Sequence, residues 1–250
     1  SVTNMGQMLH GANLLSNTNK GLIHQSFSSN SNWPYDWSSF VNPIYTPLTD
    51  ANFQTAVNLW FSNQADANAT YGHISDWNTS AVTDMSYAFS GRTAFNEDIG
   101  NWDVSSVTNM REMFKSASSF NQPIGGWNVS AVANMRCMFQ GASSFNQPIG
   151  NWNTASVTDM GWMFFLASSF NQPLTSFDTS KVTTMYRMFN SASSFNQPLT
   201  NFDTSKVNNM HGMFWVASKF NKPLSNFDTA LVTDMHYMFN GARFFNQNIY

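Results

Sequence analysis

The sequence predicts an α/β repeat solenoid, in which each coil is a short helix followed by a short parallel strand and a helical cap closes the N-terminal end. Three observations support this prediction. Residues recur at a fixed period of 25, apolar residues within a unit have helical spacing, and a proline then precedes a short apolar stretch. A fixed period of 20–50 residues indicates a solenoid, a propeller or an array, and propeller blades need about 40 residues.

Several columns of residues keep the period through seven copies. The valine column runs from Val82 to Val232 with the same step each time. One unit reads I-x-x-W-[ND]-x-S-x-V-T-[ND]-M-x-x-M-F-x-x-A-x-x-F-N-Q-P-[IL]. An aromatic column begins as tryptophan and ends as phenylalanine: Trp77, Trp102, Trp127, Trp152, Phe177, Phe202 and Phe227. No coil can bury so many apolar side chains alone, so stacking is expected to supply the core.

The spacing inside one unit predicts a helix, a turn and a strand. In the third copy, apolar residues fall at i, i+3, i+7 and i+10, on one helix face: Val132, Met135, Phe139 and Ala142. Ser130 and Asn134 offer capping chemistry at its start. Pro148 then blocks a helix and limits the strand that Ile149 and Trp152 line to a few residues. Strands of successive coils are expected to pair in parallel, about 4.8 Å apart.

The asparagine that follows the last phenylalanine of each unit predicts a structural ladder. A buried amide has to be hydrogen-bonded, so these side chains are expected to bond the backbone of the neighbouring coil at a tight turn. The ladder comprises Asn96, Asn121, Asn146, Asn171, Asn196, Asn221 and Asn246.

Four segments are predicted along the chain. Residues 1–15 are half a unit, residues 16–48 are a loop-rich insertion, residues 49–71 are a capping helix and lead-in, and residues 72–250 are the seven-copy repeat. Both ends of the chain fall inside a unit. We therefore expect a segment of a longer chain or of a tandem array.

The cap is predicted to be one amphipathic helix over residues 50–64, begun by Thr49 or Asp50. An array of coils needs a cap to cover its open end. The apolar face of this helix comprises Phe53, Val57, Trp60 and Phe61.

Composition narrows the function classes. Charged residues are 10% of the chain and the net charge is −3, without a lysine or arginine cluster, which argues against a nucleic-acid partner. The single cysteine, Cys137, excludes an internal disulfide framework, and no apolar run approaches the roughly 18 residues of a membrane span. No Ser-His-Asp order, phosphate loop or His-Glu metal motif appears, so neither an enzyme nor a cofactor is expected.

The units "WDVSSVTNMREMFKSASSFNQPI" and "FDTSKVTTMYRMFNSASSFNQPL" resemble the BspA-like leucine-rich-repeat family of surface proteins, in its 25-residue branch of mycoplasma-type surface lipoproteins. The resemblance covers residues 72–250 and 1–15. It implies a leucine-rich-repeat-like solenoid that is secreted or displayed at the cell surface, linked to adhesion or host contact, with no catalytic residues. Asp98 and Asn248 depart from the pattern where proline is expected, and Arg92 where alanine is expected.

Columns that vary between copies are expected to face solvent, because packing fixes the core columns. In copies four to seven these columns carry a variable patch: Trp162, Phe165, Leu166, Tyr186, Trp215, Val216 and Tyr237. Exposed apolar patches mark contacts with partners. The alternative is that they pack against another part of the chain or a lateral neighbour.

Three polar columns have other possible roles. His211 and His236 are one coil apart, but no third ligand follows from the period, so no metal site is predicted. Asp178, Asp203 and Asp228 are expected to cap helices, with a calcium ladder as the alternative. A flat threonine column leaves ice or mineral binding open: Thr79, Thr154, Thr179, Thr204 and Thr229.

These observations predict a non-enzymatic extracellular or cell-surface module that recognises protein or carbohydrate along one face of the array. The alternative is a structural unit of a filament, sheath or surface layer whose partner is another copy of itself. Rows of amide and hydroxyl groups suit stacking or sugar contact rather than electrostatic steering.

Overall fold

The computed structural model describes residues 8–9, 17–37 and 45–249. The chain divides into two compact units, Ser1–Thr46 and Pro47–Tyr250.

The first unit contains helix α1, Asn17–Phe27, within the segment expected to be loop-rich. His24 on this helix accepts a hydrogen bond at Nδ1 from the indole Nε1 of Trp33, at 3.0 Å. The Trp33 ring stacks on Phe27 with centroids 5.5 Å apart. The half unit predicted for residues 1–15 lies almost entirely outside the described residues.

The second unit begins with two helices where one was predicted. Helix α2 spans Phe53–Ser62 and helix α3 spans Gln64–Tyr71. The break falls at Asn63, whose side chain accepts a hydrogen bond from the backbone N–H of Asp66 and so caps α3. Helix α2 buries Phe53, Val57 and Trp60 against the first coils, with the Phe53 ring 5.8 Å from that of Trp102. A short 3₁₀ turn at Ile74–Asp76 leads into the repeat.

The repeat region is not an α/β solenoid, and the predicted fold class is wrong. From residue 77 to residue 249 the structure has neither a helix nor a strand, and each coil is a series of turns. Single residues of successive coils, from Asp84 to Asp234, are joined by six isolated parallel bridges. The leucine-rich-repeat description, with a helix and a strand in every coil, therefore does not apply.

The backbone hydrogen bonds explain why apolar residues with helical spacing do not form a helix here. In an α-helix each N–H donates to the carbonyl four residues earlier. Here the N–H groups of Met135, Cys137 and Phe139 donate instead to carbonyls 24 residues later, in the next coil, at 2.9–3.2 Å. The alternate N–H groups, such as those of Met138 and Gln140, close tight turns to the third residue back. The apolar residues share one side because of this alternation, and no helix is needed.

The stretch predicted as a strand also forms a turn. The N–H of Trp152 donates to the carbonyl of Ile149 at 3.1 Å within the same coil. Its indole Nε1 donates to the carbonyl of Ile124 in the preceding coil at 3.2 Å. The tryptophan column therefore cross-links neighbouring coils from a buried position, which satisfies the indole N–H.

Two columns of stacked phenylalanine rings form the centre of the core. One column runs from Phe89 to Phe239 with ring centroids 5.5–5.7 Å apart. The other runs from Phe95 to Phe245 at 5.7–6.0 Å. Within each coil the two rings lie 3.9–4.2 Å apart and nearly parallel. Burial of these rings holds the turns in register, because a slipped coil would break both columns.

Candidate recognition surface

Two residues of every coil have a left-handed backbone, and these left-handed positions lie four residues apart. The non-glycine members have φ of 51–60°. The first position recurs at Tyr87, Glu112, Cys137, Trp162, Arg187, Gly212 and Tyr237. The second recurs at Gly91, Ser116, Gly141, Leu166, Ser191, Val216 and Gly241. Four members of the variable patch therefore occupy left-handed positions: Trp162, Leu166, Val216 and Tyr237.

This conformation has an energetic cost for every residue except glycine. A left-handed backbone costs an L-residue roughly 1–2 kcal/mol because Cβ approaches the following carbonyl oxygen, and a β-branched residue such as Val216 is a marked outlier there. In coils four and six the left-handed residues also donate to the next coil: the N–H of Leu166 donates to Asn190 at 2.9 Å and that of Val216 to Asn240 at 2.7 Å. Both side chains are exposed, Leu166 by 46% and Val216 by 43%.

A row of aromatic rings crosses the last four coils. The Trp162 ring lies 4.3 Å from Tyr186, and Tyr186 stacks on His211 at 4.9 Å with only 5° between the planes. His211 in turn lies 5.9 Å from His236. Each ring belongs to a different coil, so stacking of the coils also stacks the rings.

A second row joins the first. Trp215 stacks on Tyr237 at 4.9 Å, and Tyr237 lies 4.2 Å from His236. The guanidinium of Arg187 sits over the Trp215 ring at 5.1 Å, and that of Arg136 over the Trp162 ring at 4.1 Å. We call the two rows together the ring ladder: Trp162, Tyr186, His211, His236, Trp215 and Tyr237, with Arg136 and Arg187.

The structure thus brings together four residues of the variable patch and leaves three at its side. Trp162, Tyr186, Trp215 and Tyr237 belong to the ring ladder. Phe165 is half-buried and makes no ring contact within the described part of the chain. Leu166 and Val216 follow directly on Phe165 and Trp215 in the sequence.

Four members of the ring ladder were missed as binding residues. Arg136, Arg187, His211 and His236 stand in the same variable columns as Tyr186 and Trp162. Variation along these columns therefore indicated the arginines and histidines as well, although the prediction included only apolar residues.

The charges along the ring ladder are partly paired. Arg136 Nη1 lies 3.3 Å from Asp159 Oδ2, and His211 Nδ1 lies 3.3 Å from Asp234 Oδ2. The backbone N–H of His236 donates to Asp234 and holds the pKa of that carboxyl below its usual value, with a further contribution from His211. Arg187 has no carboxylate partner among the described residues.

The same columns in coils two and three are polar or small. Glu112 is buried between Arg111 and Lys115, at 3.1 and 2.8 Å. Burial alone would raise its pKa, but the two hydrogen bonds and charges outweigh burial and lower it. Burial raises the pKa of the Cys137 thiol to about 11, so this cysteine stays protonated at neutral pH. Apart from Tyr87 in coil one, the exposed apolar side chains of these columns lie in coils four to seven.

The geometry of the rings limits which groups a partner can meet. Because Tyr186 and His211 cover each other's faces, a partner meets mainly ring edges, which carry partial positive charge. The Nε2 atom of His211 is buried. The rings are already held by stacking, so ordering them on binding costs little conformational entropy.

The asparagine column forms a continuous chain of hydrogen bonds. The backbone N–H of each asparagine donates to Oδ1 of the asparagine one coil earlier at 2.8–2.9 Å, over six successive pairs. Gln197 adds a side-chain hydrogen bond to Asn171 at 3.1 Å. This column ties the turns after the second phenylalanine to each other.

The other polar columns also have local structural roles. Asp178, Asp203 and Asp228 each accept a hydrogen bond at Oδ1 from the N–H two residues later, at 2.9 Å, so they stabilise turns and not helix starts. No group of three or more His, Cys, Asp or Glu suited to a metal exists among the described residues. In the threonine column, the buried members donate their hydroxyls to the next coil at 2.7–2.8 Å and are not available to ice: Thr79, Thr154, Thr179 and Thr204.

Comparison with known proteins identifies the repeat. The model of one family, described as "Mycoplasma protein of unknown function, DUF285", matches twice, over residues 54–176 and 148–250. No curated protein and no solved structure matches the chain. Within the described residues, the structure contains no helix with the length and apolar character of a membrane span.

Proposed function

We propose a recognition role for this chain, which belongs to the family described as "Mycoplasma protein of unknown function, DUF285". The chain is a non-enzymatic interaction module that binds a protein or a glycan through the ring ladder. The observation that supports this most is the continuous stacking of Trp162, Tyr186 and His211 across three coils, on columns whose residues differ from coil to coil.

The residue types of the ring ladder favour binding. Tryptophan, tyrosine and arginine are the residues that contribute most to the free energy of protein interfaces. The guanidinium of Arg187 lies over the Trp215 ring and has no carboxylate partner among the described residues. Core packing does not account for these residues, because the phenylalanine columns already fill the core.

We place this activity outside the cell, at the cell surface. The support is the resemblance of the repeat to BspA-like surface proteins. This resemblance is one of amino-acid sequence and does not extend to a leucine-rich-repeat fold. Membership of that branch is part of the proposal.

The test uses a double variant on arrays of extracellular proteins and of glycans. Trp162→Ala with Trp215→Ala removes one ring from each row, and we expect ligands bound by the wild-type protein to be lost or weakened about tenfold or more. Lys181→Ala with Lys206→Ala, outside the ring ladder, is the matched control and should bind as wild type does. Equal binding by the tryptophan variant, with its fold intact, would reject the ring ladder as the site.

A second candidate role is structural, with another copy of the chain as partner. Successive coils already stack on each other through the same hydrogen bonds and phenylalanine rings, so coils of this pattern can pair with coils of another copy. Sedimentation velocity over a concentration series tests this role. Larger species at higher concentration would support it, and a monomer at every concentration would reject it.

A further inference from the structure

We propose that the partner of the ring ladder is a protein that presents an acidic side chain, and that this carboxylate binds the guanidinium of Arg187. The inference rests on the proposed function, since it names the partner and the contact that the recognition surface makes. It concerns the charge of the site, which the stacking of the rings does not itself determine.

Arg187 differs from the other arginines of the chain in its hydrogen bonds. Four of the five arginines are half-buried, and the fifth, Arg243, is exposed. Three of the half-buried side chains donate hydrogen bonds at 3.0–3.3 Å to a side-chain oxygen: Arg92, Arg111 and Arg136. Arg187 has no side-chain acceptor among the described residues, and its Nε atom is buried without a partner. A partly desolvated guanidinium without an acceptor is unfavourable, and a carboxylate is an acceptor that matches its geometry.

The guanidinium of Arg187 is held in place by its own chain. It lies 5.2 Å from the centroid of the Tyr186 ring and 5.1 Å from that of the Trp215 ring. A Cβ atom at Gly212 would lie 3.3 Å from Cγ of Arg187 and 3.5 Å from Cε3 of Trp215, so glycine leaves room for the arginine stem and the indole. A group that is already positioned loses less conformational entropy when a partner binds.

Burial of Nε determines how a carboxylate can reach Arg187. Among the nitrogens of this side chain, Nε alone is both buried and unpartnered. The two Nη atoms therefore remain open to a partner. They present two parallel N–H groups, which match the two oxygens of a carboxylate.

The nearby carboxylates are engaged with other residues. Asp159 lies 3.3 Å from Arg136, and Asp234 lies 3.3 Å from His211. Neither forms an ion pair with Arg187. Because the ring edges around Arg187 also carry partial positive charge, the complementary partner is negative.

The stacking of the rings favours an acidic protein segment over a sugar. The Trp215 ring of coil six is contacted by Arg187 from coil five and by Tyr237 from coil seven. The Trp162 ring of coil four is likewise contacted from coils three and five. Because these contacts come from the coils on both sides, neither indole offers an open face on which a sugar ring could remove apolar surface from water. A carboxylate needs only the Nη atoms and the ring edges.

The experiment selects short random peptides displayed on phage against the wild-type chain and sequences the pool. Enriched peptides are then synthesised in pairs, once with their Asp or Glu residues and once with Asn or Gln in their place. Each pair is titrated against the wild type, Arg187→Gln and Arg187→Lys. The matched control is Arg243→Gln, which removes the same charge from an exposed position outside the ring ladder. Thermal unfolding checks that each variant is folded.

We expect the pool to be enriched in Asp and Glu. The wild type should bind the acidic member of a pair about tenfold or more tightly than the amide member. Arg187→Gln should bind both members equally, because the two substitutions remove the same interaction. Arg187→Lys keeps the charge without the fork and should retain part of the preference, and Arg243→Gln should bind as the wild type does.

Failure to enrich any peptide, a pool without acidic residues, or binding to arrayed glycans alone would overturn the inference. An undiminished preference of Arg187→Gln for the acidic member would do the same. If Trp162→Ala/Trp215→Ala loses binding of the pool while Arg187→Gln retains full affinity, the proposed function stands and this inference fails.

Discussion

Replacing Val216 by glycine tests whether a bulky residue at a left-handed position stabilises the fold. The side chain is 43% exposed, so its loss gives up about half of the roughly 1.5–3 kcal/mol that full burial of a valine provides. Glycine adds an entropic cost of roughly 0.5–1 kcal/mol, and relief of the left-handed backbone returns roughly 1–2 kcal/mol. We therefore expect the free energy of unfolding of Val216→Gly to lie within about 1 kcal/mol of wild type.

Val207→Gly is the matched control, because Val207 is fully buried and is not among the left-handed residues. Loss of full burial and the cost of glycine together amount to about 2–4 kcal/mol. At about 2–4 °C per kcal/mol, its melting temperature should fall by about 4–16 °C, against at most about 4 °C for Val216→Gly. Thermal unfolding followed by tryptophan fluorescence measures both. If Val216→Gly lost as much stability as Val207→Gly, the side chain would be required by the fold and our reasoning would be refuted.

Three further predictions concern stability and reactivity. Asn171→Ala leaves the N–H of Asn196 without its acceptor, so the free energy of unfolding in urea should fall by about 1–3 kcal/mol. Asn171→Asp keeps an acceptor and should cost less. An unchanged free energy of unfolding would contradict a structural ladder. Hydrogen bonds from the Thr83 hydroxyl and backbone lower the pKa of Asp50 below 3.8. Because folding lowers that pKa, the stabilisation is present above pH 3.8 and is lost as the pH falls through the lower value. On acidification, the free energy of unfolding of the wild type should therefore show a decrease that Asp50→Ala lacks. The Cys137 thiol, with its pKa raised to about 11, should react with a disulfide reagent at neutral pH only after denaturation, and rapid labelling of the native protein would contradict its burial.

The repeat and its core could be read from the sequence, but the local conformation could not. The period of 25 located the repeated apolar columns of the core, because packing demands the same apolar side chain at the same place in each coil. It did not reveal that the threonine column is buried as well. The spacing of Val132, Met135 and Phe139 was also compatible with a helix, and nothing local excluded it. The hydrogen bonds from Met135 and Phe139 to the next coil show that this stretch forms turns.

Part of the candidate site could likewise be predicted from the sequence, and part required the structure. The variable columns identified Trp162 and Trp215, whereas the inclusion of His211 and Arg187 depends on ring contacts between different coils. Residues 25 apart become neighbours only when the coils stack, so no single unit contains that information.

The sequence by itself therefore determined that this chain is poor in charge and rich in phenylalanine, methionine and asparagine because each coil repeats the same set. Tertiary structure decided the conformation that this set adopts. A backbone N–H can donate within a helix or to a neighbouring coil, and stacking made the second choice available at alternate residues. The same turns contain the left-handed positions, which leave the side chains of Leu166 and Val216 partly exposed.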